Sequence, residues 1–458
     1  MPKVKKIVKK ISKEKKSSPS PVAPASGSVK NKKGYNVLRG MHDILPKEEK
    51  YWKNYYHIAE DLAEYFQFGR IETPLLEEAG LFVRSIGKGT DVVDKEMYIF
   101  EDNDGDKVCL RPEATASVAR AYNNNGMWNY PQPVKMWYWG PMFRHDRPQA
   151  GRYREFFQVG FENFGDNDPA ADAEVILVAY NFFKDLGLPV EIHVNSIGNL
   201  DERQRYKTEL LNYYRSKRGY LCEDCRTRMS KNPLRLLDCK QEQCQPVKED
   251  APQIIDWLGE ESKKHFMRVL EYLDELGIPY ILRSSLVRGL DYYTNTVFEI
   301  YTTAGEGTAQ SALGGGGRYN LLVEEIGGRP TPAVGMSLGV ERSIMALKQY
   351  NDQNKIEVSV KKADIYFAHL GEQARSRTLK MINELRHSGI KVGFNFFKNS
   401  LKSQLESANN HKVPYSIILG QKEVQDSTVI IRDMESGVQE IVDQKKLINV
   451  LKKKLNRE

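Results

Sequence analysis

Four arginines lie within eleven residues of "RHDRPQAGRYREFFQ", residues 144–158, and two phenylalanines follow them. Guanidinium groups this close together repel one another unless an anion lies among them. An arginine side chain binds phosphate oxygens through two parallel hydrogen bonds and stays charged at neutral pH. The segment therefore predicts a polyphosphate site that uses Arg144 and Arg152. The alternative is a solvated loop whose charges point apart.

Two further stretches combine residue types that can bind a small substrate. In "RPEAT", Glu113 and Thr115 either receive a substrate ammonium group or cap the amides of a helix. In "VRGLDYY", Arg288 precedes the two aromatic residues Tyr292 and Tyr293 where a loop is predicted to enter a strand. The sequence contains no GxxxxGK[ST] loop, so a bound nucleotide would have to be held by arginines and aromatic rings.

Glycines and a further arginine follow towards the end of the same region. The run "GGGG", residues 314–317, either lets the backbone approach a ligand closely or forms a mobile surface loop. In "GVERS", Arg342 lies in the first turns of a helix that is predicted to follow a strand directly. A lone arginine in such a position usually faces solvent, so this residue alone indicates little.

The chain contains five cysteines, four of them close together in sequence. Cys222 and Cys225, followed by Cys239 and Cys244, have a spacing that is plausible for a structural zinc site. The alternative is four separate thiols in a charged helical segment. An odd number of cysteines in a long chain indicates a reducing compartment. With no long apolar run and no signal peptide, the sequence predicts a cytoplasmic protein without membrane contact.

These residues need a scaffold, which the hydrophobic periodicity outlines. It predicts a helix over 47–68, an edge strand in "GRIETPLLEE" that carries Pro74, and a β-hairpin over 92–112. Two aromatic-rich strands on either side of the arginine loop predict a second hairpin. A helix over 169–186 and another strand follow, and residues from about 200 to 275 read as a charged helical insertion.

The whole chain divides into four parts. Residues 35–350 are predicted to form an antiparallel β-sheet domain with the insertion, and residues 351–362 a linker. Residues 363–458 alternate strand and helix, which predicts a compact α/β domain. Residues 1–34 are a basic tail; its first 33 residues hold eleven Lys and one Glu, a charge of +10, so the chain's total of +7 leaves −3 elsewhere. Such a tail is predicted to be disordered, and it serves either as a solubilising leader or as an RNA tether.

An ordered series of motifs across residues 35–458 resembles the class II histidyl-tRNA synthetase family. "RGMHDILP" resembles the family's opening signature, "IETPLLEE" motif 1, and "FRHDRPQAGRYREFFQVGFENFG" motif 2. "LVRGLDYYTNTVFEI" and "ALGGGGRYN" resemble the two histidine-specific signatures, and "PAVGMSLGVERS" resembles motif 3. The resemblance implies an α+β fold: an antiparallel β-sheet catalytic domain with a helical insertion, and a C-terminal α/β anticodon-binding domain.

The resemblance also implies a function and its partners. The chain would be an ATP-dependent, AMP-forming ligase that joins L-histidine to tRNA(His), with Mg²⁺ on the ATP and motif 1 forming a homodimer. Arg144, Arg152 and Arg342 would bind ATP, and Arg288 and Arg144 would be catalytic. The histidine site would comprise Glu113, Thr115, Gln158, Glu162, Tyr292, Tyr293, Tyr319 and Gly335. The family fold does not depend on metal at the four cysteines, which favours separate thiols there.

Three other functions share parts of this pattern. A non-catalytic, histidine-sensing regulatory paralogue is the first alternative, but such relatives usually lack the anticodon domain and lose motif residues. A synthetase for threonine, proline or glycine is the second, and "RGLDYY" and "GGGGRY" argue against it. A pure RNA-binding scaffold is the third, suggested by the basic tail. The phosphate-binding arginines argue against that scaffold, so the sequence favours the ligase.

Overall fold

The computed structural model describes residues 35–87, 90–303, 312–356 and 363–456. The predictions for the basic tail of residues 1–34 and for most of the linker lie outside these ranges. Within them, none of the helices has both the length and the apolar composition that crossing a membrane requires.

Residues 35–356 contain two sheets. Their strands are β1 (Gly69–Arg70), β2 (Leu76–Glu78), β3 (Tyr98–Glu101), β4 (Lys107–Leu110), β5 (Val134–Phe143), β6 (Glu155–Phe164), β7 (Val190–Ser196), β8 (Tyr280–Leu282), β9 (Thr294–Thr302), β10 (Gly314–Arg318) and β11 (Ala333–Gly339). The large sheet has the order β1-β5-β6-β11-β10-β9-β7-β8, and the small sheet has the order β2-β4-β3. Every pairing from β5 to β7 in the large sheet is antiparallel, so the predicted antiparallel domain is confirmed.

Helices cover this sheet and connect its strands. They are α1 (Glu49–Tyr65), α2 (Ala79–Ile86), α3 (Thr115–Asn124), α4 (Pro169–Leu186), α5 (Leu200–Ser216), α6 (Glu223–Lys231), α7 (Gln245–Glu249), α8 (Glu260–Glu275), α9 (Leu322–Glu325) and α10 (Val340–Asn354). Single 3₁₀ or π turns lie at Val92–Glu96, Met127–Asn129, Arg218–Tyr220, Pro233–Leu236, Glu242–Cys244 and Ile254–Trp257.

Local sequence explains the bounds of α4, which agree with the prediction. The Asp168 side chain accepts a hydrogen bond from the Ala170 amide, Pro169 occupies the first turn, and Gly187 ends the helix in a left-handed conformation. Buried residues of α1, α4, α8 and α10 join one core against the large sheet. Because Phe266 and Leu273 of α8 belong to that core, the last helix of the predicted insertion is part of the main domain.

Two local predictions differ from the structure. "GRIETPLLEE" was predicted as a single strand, but it forms β1 and β2 with Pro74 between them, because proline lacks the amide that would continue a ladder. Both short strands lie at sheet edges, as predicted. The glycine run is an interior strand, β10, paired on both sides with β9 and β11. The alternative of a mobile surface loop is therefore wrong.

Residues 363–456 form the second domain around its own core. Its strands are β12 (Ile365–His369), β13 (Val392–Phe394), β14 (Tyr415–Leu419), β15 (Thr428–Asp433) and β16 (Gln439–Asp443), in the order β13-β12-β14-β15-β16. Its helices are α11 (Glu372–His387), α12 (Leu401–Asn410), α13 (Gln421–Gln425) and α14 (Leu447–Lys454), with a 3₁₀ turn at Gln444–Lys446. Strand β12 pairs in parallel with β13 and β14, whereas β14, β15 and β16 are antiparallel. This mixed sheet confirms the predicted α/β domain; β16 was not predicted.

Candidate active site

A cleft of about 540 Å³ lies over the centre of the large sheet. Its walls come from β6, β10 and β11, from the loop that carries "VRGLDYY", and from the helical insertion. It brings together most of the side chains that the sequence predicted for a site. The residues of that prediction that line the cleft are Glu113, Thr115, Arg144, Arg152, Gln158, Arg288, Tyr292, Tyr293 and Arg342.

One end of the cleft is strongly cationic. Arg144 donates from Nε to the Pro112 carbonyl oxygen at 2.8 Å, and its guanidinium carbon lies 5.4 Å from the centre of the Phe156 ring. Arg152 makes a half-exposed ion pair with Asp146 at 3.1 Å. Exposed pairs of this kind are weak, so an incoming anion can displace the carboxylate.

The third guanidinium of this end belongs to Arg342, on the first turn of α10. Its Nε donates to the Gly151 carbonyl oxygen at 2.9 Å, and its Nη1 donates to the Ala312 carbonyl oxygen at 3.0 Å. Burial lowers the pKa of Arg342, and repulsion from Arg152 and Arg144 lowers it further. All three guanidiniums line the same cleft, which favours a shared anion site over a loop whose arginines point apart.

A buried acid lies in β6, at the back of the site. The Glu162 carboxylate accepts hydrogen bonds from the Thr115 hydroxyl, at 2.8 Å, and from the Tyr319 hydroxyl. Burial raises the pKa of Glu162 to about 8, although the Tyr319 and Thr115 hydroxyls oppose the shift. Gly335 on the neighbouring strand makes this placement feasible, because a Cβ there would lie 1.7 Å from Oε2 of Glu162.

Glu113 has a structural task at the start of α3. Its two carboxylate oxygens accept from the amides of Thr115, at 2.7 Å, and Ala116, at 2.9 Å, which is the capping alternative left open by the sequence. Burial raises the pKa of Glu113 in spite of these amides. Gln158 also lines the cleft, and its Nε2 is 3.4 Å from the Ser337 hydroxyl.

Arg288 lines the same cleft and lies between an acid and a phenol. Its Nη1 is 2.6 Å from Oε1 of Glu299, and its guanidinium carbon lies 5.4 Å from the centre of the Tyr293 ring. Burial opposes its charge, but Tyr293 and Glu299 outweigh burial and raise the pKa of Arg288. Gly315 leaves it room, because a Cβ there would lie 2.7 Å from Nη1. The Tyr292 ring lies 4.7 Å from that of Tyr293.

Two acids of this site were missed from the sequence. Glu299 orients Arg288, and a charged residue inside the apolar stretch "TVFEI" was the available signal. Glu341 accepts from the Phe157 amide at 2.9 Å and 3.0 Å, which ties α10 to β6 behind the cationic end. Burial raises the pKa of Glu341 to about 7. In the sequence, Glu341 lies beside Arg342 in "GVERS", and this position does not indicate a contact with the Phe157 amide.

Basic residues of the insertion contact acids of the main domain. Arg228 and Arg235 lie 3.6 Å and 3.0 Å from Asp91, and Lys231 lies 3.3 Å from Asp94. These contacts join the insertion to the main domain across the mouth of the cleft. They arise because folding places the 90–96 turn against α6.

Comparison with known proteins agrees with this architecture. A family model described as "Histidyl-tRNA synthetase" matches residues 40–342, and one described as "Anticodon binding domain" matches residues 356–454. A "Histidine--tRNA ligase" of Dehalococcoides mccartyi is 43% identical over 422 residues, covering 92% of this chain and all of the relative. A second "Histidine--tRNA ligase", from Halothermothrix orenii, is 45% identical over 402 residues, which cover 88% of this chain and 95% of the relative. The crystal structure of apo S. aureus histidyl-tRNA synthetase superposes with a TM-score of 0.75 at 32% identity, covering 92% of this chain and all of that one.

The antiparallel sheet, its arginine-lined cleft and the separate α/β domain define an aminoacyl-tRNA synthetase of class II. Within that class, the matched family model spans well over half of the chain, and the curated relatives exceed 40% identity across nearly all of it. The chain belongs to the histidyl-tRNA synthetase family.

Proposed function

We propose that the cleft activates L-histidine with ATP, giving histidyl-adenylate and pyrophosphate, and then transfers histidine to the 3′ end of tRNA(His). The observation that carries this proposal is one cleft that borders two environments. The guanidiniums of Arg144, Arg152 and Arg342 line the cleft, and so does Thr115. Behind the cleft wall, the Thr115 hydroxyl donates to the fully buried Glu162 carboxylate, which also accepts from the Tyr319 hydroxyl.

The first step is attack of the histidine carboxylate on the α-phosphorus of ATP. One P–O bond forms to the carboxylate, one P–O bond to the bridging oxygen breaks, and pyrophosphate leaves with that electron pair. The carboxylate is ionised at neutral pH, so the step needs no general base. Its difficulty is the approach of two anions, which positioned cations offset. We assign this task to Arg144 and Arg288, with Arg152 and Arg342 on the outer phosphates.

ATP enters as a magnesium complex in this proposal. Carboxylate oxygens suit Mg²⁺, and Glu96, an acid that lines the cleft, has the chemistry to contact it. Burial raises the pKa of Glu96, whereas Arg144 lowers it. A cation bound with the phosphates would favour its ionised form.

Histidine specificity is assigned to the buried end of the cleft. A neutral imidazole has one donor and one acceptor, and an acid beside phenols can satisfy both. We assign the imidazole to Glu162 with Tyr293 and Tyr319, and the amino group to Glu113, Thr115 and Gln158, beneath Tyr292. An amino acid without those ring atoms would leave buried polar groups unpaired, which discriminates by about 10⁴.

The C-terminal domain and the small sheet are assigned to tRNA binding and to assembly. We infer that residues 363–458 read the anticodon loop, since sequence-specific RNA recognition usually targets single-stranded loops. We also infer a homodimer through the small sheet, because large apolar side chains are exposed on it and next to Pro74. They are Leu75, Leu76, Ile99 and Phe100, each between 42% and 48% exposed. The odd number of cysteines supports a cytoplasmic location.

ATP–pyrophosphate exchange, measured with each of the twenty amino acids and no tRNA, tests the activity. We expect exchange with histidine alone. Exchange with threonine, proline or glycine would reassign the substrate. No exchange with any amino acid, together with histidine binding, would identify a regulatory paralogue instead. Analytical ultracentrifugation tests the dimer, and a monomer at micromolar concentration would contradict it.

A further inference from the structure

Four cysteines of the insertion meet in space. The sulfur atoms of Cys222, Cys225, Cys239 and Cys244 all lie within 4.8 Å of one another. The family resemblance favoured four separate thiols, and that interpretation is wrong, because the turns after α6 bring Cys239 and Cys244 back to Cys222 and Cys225. None of the four is joined in a disulfide.

The spacing of the sulfurs fits a tetrahedral ion. Four thiolates around one zinc, with bonds of about 2.3 Å, place neighbouring sulfurs about 3.8 Å apart. The Cys222 and Cys239 sulfurs are 3.9 Å apart. A sulfur-only, four-ligand set selects zinc over the hard cations Mg²⁺ and Ca²⁺.

The backbone around the cluster is arranged for thiolates. Cys222 is the N-cap of α6, and its sulfur accepts from the Cys225 amide at 3.5 Å. The Cys244 sulfur accepts from the Cys222 amide at 3.2 Å. Amides that donate to ligand sulfurs are the outer-shell contacts that orient metal ligands.

We propose that these four cysteines bind one structural Zn²⁺ that holds together the segments of the helical insertion that line the cleft. The cluster joins the start of α6 to the turns that carry Cys239 and Cys244. The segments it joins also supply wall residues of the cleft: Asp224, Arg228, Arg235, Asp238 and Lys240. Because residues 217–250 form only the short helices α6 and α7 and single turns, a metal is a suitable way to hold them together.

The chain offers a matched control in its fifth cysteine. Cys109 is fully buried in β4, in a core outside the cluster. Cys109→Ser therefore places a hydroxyl in a buried site, as a cluster variant does, without removing a proposed ligand. Cys222→Ser is the better cluster variant, because its side chain is the most accessible of the four and the least needed for packing.

The test is metal analysis of the full-length chain, purified without a histidine tag from zinc-supplemented medium. We expect about one equivalent of zinc per chain in the wild type and in Cys109→Ser, and less than about a tenth in Cys222→Ser with Cys239→Ser. Cobalt bound in place of zinc should give thiolate charge-transfer and tetrahedral absorption bands. Removal of the metal should speed limited proteolysis within residues 217–250.

Three results would overturn the proposal. The first is wild-type protein with less than about a tenth of an equivalent of zinc and no tight cobalt binding. The second is a full equivalent retained in the double cluster variant, which would place the metal elsewhere. The third is stoichiometric iron in place of zinc. All three results come from measuring the bound metal directly. They therefore do not depend on the histidine ligase activity proposed above.

Discussion

Replacement of Arg288 by alanine is the most direct test of the proposed chemistry. Arg288 is assigned to the two anions that react, and it is largely buried, with a side chain 15% exposed. Two unit charges about 4 Å apart interact by about 4 kcal/mol at an effective dielectric near 20. A loss of that size in the transition state slows the first step by about 10³-fold.

The assay is histidine-dependent ATP–pyrophosphate exchange, compared as kcat/KM. A matched control exists on the surface: Arg268 pairs with Glu271 at 2.6 Å, the same distance as Arg288 with Glu299. Because the Arg268 pair is exposed, Arg268→Ala should leave exchange unchanged. If Arg288→Ala were as active as this control, the assigned role of Arg288 would be refuted.

A structural effect of the same substitution has to be separated from the chemical one. Arg288→Ala leaves the Glu299 carboxylate with the Tyr301 hydroxyl, 2.5 Å away, as its remaining hydrogen-bond donor among the contacts described here. The double variant Arg288→Ala with Glu299→Gln removes that unpaired charge. We expect the double variant to recover thermal stability but not exchange. Recovery of exchange would mean that the guanidinium only neutralises Glu299.

Four further predictions address the rest of the molecule. Folding raises the pKa of Glu162 from 4.5 to about 8, so the stability that its protonated form contributes is fully present below pH 4.5 and is lost as the pH rises through 8. Glu162→Gln should therefore flatten the profile of melting temperature against pH in this range. An unchanged profile would contradict the raised pKa. Gly335→Ala should abolish histidine-dependent exchange, since its Cβ would overlap the Glu162 carboxylate, whereas Gly219→Ala, which meets nothing within 4 Å, should be neutral in the same assay. Asp172→Asn should cost about 3–5 kcal/mol in chemical denaturation because its arginine partner in β10 is fully buried, and a loss below about 1 kcal/mol would argue against that pair. Removal of residues 363–458 should weaken tRNA charging far more than adenylate formation, and equal losses in the two assays would contradict anticodon recognition by this domain.

Elements with a strong local signal were predictable. The alternating aromatic and apolar residues of β5 and β6 specify paired strands, and their polar connection carries the arginines. Helix α4 has a capping residue at one end and a glycine at the other, so its bounds need no tertiary information. These signals act over a few residues, and the arginine-rich hairpin followed from them directly.

Other features depend on contacts between distant parts of the chain. The Tyr319 hydroxyl reaches Glu162 across 157 positions, and the Thr115 hydroxyl reaches it across 47. No local pattern reports such distances. The glycine run shows the same limit, since four consecutive glycines are compatible with a loop, and only pairing with β9 and β11 makes them a strand.

The sequence by itself determined the types of the elements, the family and the positively charged segment expected to meet phosphate, because each depends on residues near one another in the chain. The tertiary structure decided which acid accompanies which arginine, why Gly315 and Gly335 must lack side chains, and that four cysteines share one place. Those properties depend on distances between segments, and they exist only after the sheet has formed and the insertion has packed against it.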